Sequence, residues 1–184
     1  MESLAKTYEG KADFYILYVR EAHPGENYSA HKSLSGKIAH AKDLQQFENV
    51  CRTILIDDVE GSMHIDYGDR PNSVYLIGKD GVISYRADWS EPVEFEEQLK
   101  RVLENDGYAA GLEAVSLTDN FTPVTSESAE TSIRVLRRSG WGALVDFWFS
   151  SPALARGRRV RHPAVVRVPL RKVTVVRGPE LANP

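Results

Sequence analysis

A chain of 184 residues and 20.6 kDa has room for one domain and an appendage, which excludes a multidomain assembly. With 42% hydrophobic and 27% charged residues, it has the composition of a globule with a real core rather than that of a disordered or collagen-like chain. The net charge of −3 divides unevenly: residues 1–133 carry −12 and residues 134–184 carry +9, with ten of the eleven basic residues in the second part being arginine.

Residues 1–9 read as the end of a helix, with Gly10 where a C-terminal cap would sit. Phe14 to Val19 is a short continuous run of aromatic and β-branched residues, the pattern of a strand buried on both faces of a parallel sheet. A polar turn from Arg20 to Gly25 follows. Ser33 then stands as N-cap to a helix whose apolar positions are Leu34, Ile38, Ala41, Leu44 and Phe47. Thr53 to Ile56 reads as a second buried strand closed by Asp57-Asp58. Two strands, Ser73–Ile77 and Val82–Tyr85, flank Gly-Lys-Asp-Gly and predict a hairpin. Ser90-Glu91-Pro92 opens a helix that sets Phe95, Leu99, Val102 and Leu103 on one face, with Gly107 beyond its end.

That order predicts an α/β class: a mixed sheet flanked by helices over residues 1–107, then a linker over 108–132 and a basic extension, partly helical or disordered, over 133–184. In the extension, Trp141, Leu144, Val145, Trp148 and Phe149 form an apolar stripe at helical spacing. Because the strand and helix order closes by Gly107, the extension is expected to be dispensable for folding. No stretch has the ~20 apolar residues of a membrane span, and the N-terminus lacks a signal-peptide pattern. A single cysteine, Cys51, forms no internal disulfide and no thiolate zinc site, so a reducing, cytoplasmic compartment is expected.

Glu21 and His23 leave the C-terminal end of the Phe14–Val19 strand, the edge of a parallel sheet where sites are built. Two residues apart, they point the same way in extended backbone, and a carboxylate beside an imidazole prepares a general acid near neutral pH. A solvated turn with a Glu–His contact is the plainer reading. Pro71, just ahead of the hairpin, occupies a strand-start position where a missing N–H costs nothing. Cys51 precedes its strand while Glu21 follows its own, so parallel pairing puts the thiol at the opposite end of the sheet. A small buried or half-buried thiol is expected there. Glu21, His23, His31, His40 and His64 lack the tight spacing of a metal motif, and no metal or cofactor is expected. The Arg156–Arg177 interval has no aromatic residue to stack on bases, so its charge gives no clear nucleic-acid partner.

Tyr18-Val19-Arg20-Glu21-Ala22-His23-Pro24, the following His31-Lys32-Ser33-Leu34, the Ile54–Asp58 strand and Tyr67-Gly68 through Gly81 resemble the iodothyronine deiodinase family over about residues 1–104. The resemblance implies a thioredoxin-like, peroxiredoxin-like fold and thiol- or selenol-based reduction of a small substrate, with a thiol reductant as co-substrate. The family's active-site Glu and two His fall on Glu21, His23 and His31, and Pro71 falls in the substrate-binding region. The family's nucleophile lies on a strand-to-helix turn ahead of the helix at residues 1–9, which this sequence does not contain. The expectation is therefore an N-terminally truncated domain, inert for thiol chemistry as written, with a noncatalytic binding module as the alternative and homo-oligomerisation left open.

Overall fold

Helix α1 (Glu2–Thr7) begins the fold, and Leu4 and Tyr8 anchor it in the larger of two apolar cores. The chain is described here from a computed structural model covering residues 1–21, 23–70, 72–117, 133–134, 136–143 and 145, with residues 174–176 described by backbone alone. After α1 come β1 (Tyr15–Tyr18), α2 (Leu34–Phe47), β2 (Thr53–Ile56), α3 (Ser62–Asp66), β3 (Val74–Ile77), β4 (Ile83–Ala87), α4 (Pro92–Glu104), β5 (Val115–Leu117) and β6 (Thr174–Val176). The class is mixed α/β, as the sequence pattern predicts.

The strands form two three-stranded sheets rather than one. In the first, β1 pairs parallel with β2, setting Tyr15 against Thr53 and Tyr18 against Ile56, and β6 pairs antiparallel on the far edge of β2. In the second, β3 and β4 form the antiparallel hairpin and β5 adds parallel to β4. Among the described residues the other edges of β1 and β3 carry no strand. This explains a departure from expectation: β1 is half-buried, with Tyr15 54% exposed, because a sheet edge covers a strand less well than two neighbours do.

Each sheet has its own core. Leu76, Tyr85, Ala87, Phe95, Leu99 and Val102 pack with α1 around the hairpin, and Ala41, Val50, Ile54 and Ile56 pack between α2 and β2. Helix α4 follows its predicted apolar face, with Glu91 accepting from the Val93 amide at its start and Pro92 in the first turn. Helix α2 begins where Ser33 predicts, its hydroxyl accepting from the Gly36 amide at 3.2 Å. The centre of its predicted stripe, Ile38, Ala41 and Leu44, packs on the second core, whereas the ends, Leu34 and Phe47, are exposed. Lys37 is buried beside that stripe, its ammonium donating to the Asp58 carbonyl at 2.7 Å.

Short elements escape the sequence pattern. Helix α3 has five residues and is held by side chains ahead of it: the buried Asp57 carboxylate accepts from the amides of Asp58, Met63 and His64 at 2.9, 3.0 and 2.9 Å. Asp58 accepts from the Ser62 amide at 2.8 Å and from its hydroxyl, and these bonds lower its pKa. Strand β5 lies at the start of the stretch expected to act as a linker, and residues 118–132 lie outside the described residues.

Candidate active site at the end of β1

Parallel pairing brings the C-terminal ends of β1 and β2 to one edge, where the Asp57 amide continues the ladder by donating to the Tyr18 carbonyl at 3.2 Å. The chain then turns through Glu21, loops past Tyr28 and His31, and returns along α2. The buried face of α2 presents Lys37 and His40 to the same edge. Three successive segments therefore meet beyond the last residues of β1, which is where an open α/β sheet places its ligands.

Glu21, His31 and His40 are clustered there. Glu21 Oε1 lies 3.8 Å from His31 Nε2 and 3.7 Å from His40 Nδ1, and the two ring nitrogens are hydrogen-bonded to each other at 3.1 Å. Tyr18 donates its hydroxyl to Glu21 Oε1. The aromatic rings fix the imidazoles: Tyr18 meets His31 edge-on at 5.6 Å between centroids, and Tyr28 meets His40 in the same manner at 4.9 Å. The His31 side chain is only 4% exposed. Burial, helped by the neighbouring His40 and Lys37, pushes its pKa down to about 4, so the ring is neutral at physiological pH. Burial and then the Glu21 contact push the Tyr18 phenol up. The neutral His31 imidazole, hydrogen-bonded to His40 beside a carboxylate, can relay a proton, with Tyr18 fixing the carboxylate.

Of the residues singled out from the sequence, Glu21 and His31 meet here. His23 is half-buried two residues beyond Glu21 and lies outside the three-residue group. His40 joins the cluster although the strand-end reasoning favours His23 over it. Only the packing of α2 reveals it, one turn after the buried Lys37 and beside Ala41. Pro71 lies outside the described residues. His64 is buried elsewhere, bonded to the Arg70 carbonyl at 3.0 Å and 3.4 Å from Asp69.

Cys51 is exposed, not buried as expected, because it sits in the turn before β2, where its thiol makes only a weak contact to the Asn49 carbonyl. In the register of the parallel pair it lies five residues before the level of Tyr18, or ~16 Å along the strands, at the far end from Glu21.

The basic extension reaches this site. Helical residues 136–139 and 141–143 pack on the loop after β1: the Asn27 amide donates to the Ser139 carbonyl at 3.1 Å, and the Gly142 amide donates to Glu26 at 3.0 Å, lowering the pKa of that carboxylate. Arg134 and Arg138 bridge to Glu48 at 3.0 and 3.3 Å. Of the expected apolar stripe, the two described members, Trp141 and Val145, are both exposed. Leu136, Ser139 and Ala143 are buried, whereas Trp141 is 79% exposed, and Leu144, Trp148 and Phe149 lie outside the described residues.

Residues 1–106 match the family model described as iodothyronine deiodinase. The chain is 30% identical over 94 residues to thyroxine 5-deiodinases of Ovis aries, Bos taurus and Homo sapiens; the alignments cover 46% of this chain and 32%, 31% and 30% of those proteins. It thus spans about a third of the length of the curated relatives it matches. No solved structure matches it significantly. Among the described residues, no helix is long and apolar enough to cross a membrane. With the matched segment running from α1 through α4 and containing both the Glu21 strand end and His31, the chain belongs to the iodothyronine deiodinase family.

Proposed function

We propose that this domain serves thiol- or selenol-dependent reduction of a small substrate, with removal of iodine from an aromatic ring as the first reaction to test. The observation that carries this reading is the Glu21, His31 and His40 cluster at the C-terminal end of β1, within a segment matched to a deiodinase family. In such a reduction a thiolate or selenolate attacks the iodine, the carbon–iodine bond breaks, and the ring carbon takes a proton. A second thiol then displaces iodide, leaving a disulfide or selenenyl sulfide. Here Glu21 orients the imidazoles, His23 delivers the proton, and His31 assists from the loop before α2. Pro71 belongs to the substrate-binding side in this reading, a thiol reductant is the co-substrate, and a reducing cytoplasmic compartment suits the chemistry.

Cys51 does not serve as the nucleophile, given its distance from Glu21. General acid–base groups alone contribute ~10²–10⁴-fold and do not replace a covalent step. Iodide release from an iodinated phenol with excess dithiol provides the test. Residues 1–184 and their Cys51→Ser variant should give the same low rate. A chain carrying a cysteine or selenocysteine on a strand-to-helix turn ahead of α1 should gain activity that His23→Ala and Glu21→Gln each reduce. Turnover by the unmodified chain that disappears in Cys51→Ser would overturn this assignment.

Among the described residues no strand pairs with the outer edge of β1, and this favours a second reading, a noncatalytic module that adds a partner's strand there. An activity that appears in the extended chain and depends on His23 counts against it.

A further inference from the structure

The three polar atoms of the cluster have a geometry that proton transfer does not require. Glu21 Oε1, His31 Nε2 and His40 Nδ1 form a triangle with sides of 3.1, 3.7 and 3.8 Å. A point equidistant from all three lies ~2.1 Å from each, which is the length of a zinc bond to imidazole nitrogen or carboxylate oxygen. An ion lifted slightly out of the plane keeps that distance and has a further coordination position open.

The surroundings suit a built site. The three side chains are 20%, 4% and 18% exposed, respectively, so a cation would be largely desolvated. The phenol of Tyr18 donates to the ligating carboxylate, and edge-on contacts from Tyr18 and Tyr28 hold the two rings at their angles. The Tyr18 hydrogen bond is outer support of the kind metal ligands use, whereas His31 Nδ1 is buried with no hydrogen-bond partner among the described residues. Two imidazoles and one carboxylate favour zinc and its neighbours over calcium or magnesium, which prefer all-oxygen sites. The sequence hides the site because His31 is in a loop and His40 nine residues later in a helix, so only the fold unites them.

We propose that Glu21, His31 and His40 bind a divalent transition-metal ion, zinc foremost, through one carboxylate oxygen and two imidazole nitrogens. Binding uses lone pairs that would otherwise share the proton, so a bound ion and the proton-passing state exclude each other. Zinc would therefore inhibit any chemistry that depends on this cluster.

Co²⁺ titration of chelator-treated, tag-free residues 1–184 tests binding without reference to activity. One equivalent should bind with the visible absorption of a four-coordinate nitrogen and oxygen site, and one equivalent of Zn²⁺ should abolish that absorption. His40→Gln and Glu21→Gln should each weaken binding by more than the ~10–100-fold typical of losing a supporting contact, and Tyr18→Phe by about that amount. His64→Gln should leave it unchanged. Circular dichroism identifies any variant that has unfolded, and two ligand variants make the test independent of one failure. Absence of binding at micromolar Co²⁺ and Zn²⁺, or binding that survives both His40→Gln and Glu21→Gln in folded protein, would overturn the proposal.

Discussion

Arg138 sets its guanidinium 4.8 Å from the ring centre of Tyr28 and donates to the hydroxyl of the same residue at 2.9 Å. Its other face covers Phe47 at 4.5 Å, and its remaining nitrogen reaches Glu48. One arginine of the basic extension thus clamps the loop that carries Tyr28 to the end of α2, beside the imidazole of His40.

Arg138→Ala should accordingly destabilise the fold by ~1–2 kcal/mol, lowering a thermal midpoint by roughly 2–8 °C, with Arg138→Lys recovering less than half because lysine cannot fork between Tyr28 and Glu48. Gly25→Ala should loosen the same contact, since a β-carbon there would stand 2.1 Å from the Ser139 carbonyl oxygen. Calorimetry of the three variants checks this. It also bears on the expectation that the extension is dispensable for folding, since the extension contacts the Glu26–Tyr28 loop and Glu48.

Asp57 is the second point of sensitivity. It is 2% exposed and accepts three amide hydrogen bonds, so Asp57→Ala leaves buried donors unpaired and should cost about 3–5 kcal/mol. Asp57→Asn keeps one acceptor oxygen and should cost less. Urea unfolding of the two variants gives the difference directly.

The long periodic elements were legible from sequence because each buries one face with a clear signature: the Asp-Gly hairpin, the Pro-led α4, and the Ser33-capped α2. What escaped had tertiary causes. Lys37 is buried beside the apolar face of α2 because its ammonium finds a carbonyl on the β2 loop, which no apolar count reveals. Helix α3 exists through Asp57 and Asp58 rather than through its own five residues. Strand β6 lies more than a hundred residues from its partner β2. At the site, the strand-end position of Glu21 and the resemblance that marked His31 identified two members of the cluster, while His40 required knowing how α2 is rotated.

The low pKa of His31 makes stability depend on pH with a definite sign. Its folded value of about 4 lies below the ordinary 6.5, so between these values the unfolded chain binds more protons and stability falls as the pH is lowered. Above about pH 6.5 the contribution is complete. Allowing for solvent screening, ~1–3 kcal/mol should be lost on going from pH 7 to pH 4. His31→Gln should remove that part of the slope, which unfolding curves of the two proteins at matched pH would reveal as a difference confined to this window.

The most direct test of the Glu21, His31 and His40 cluster is a nitrogen-15 NMR titration of the imidazole rings in the wild type and in Glu21→Gln. With all three groups in one cluster, the His31 nitrogens remain those of a neutral ring from pH 8 to about pH 5, and Glu21→Gln shifts the ring signals of both His31 and His40 while leaving His64 in place. A His31 that protonates near 6.5, together with ring signals indifferent to Glu21→Gln, would contradict the cluster and with it the site.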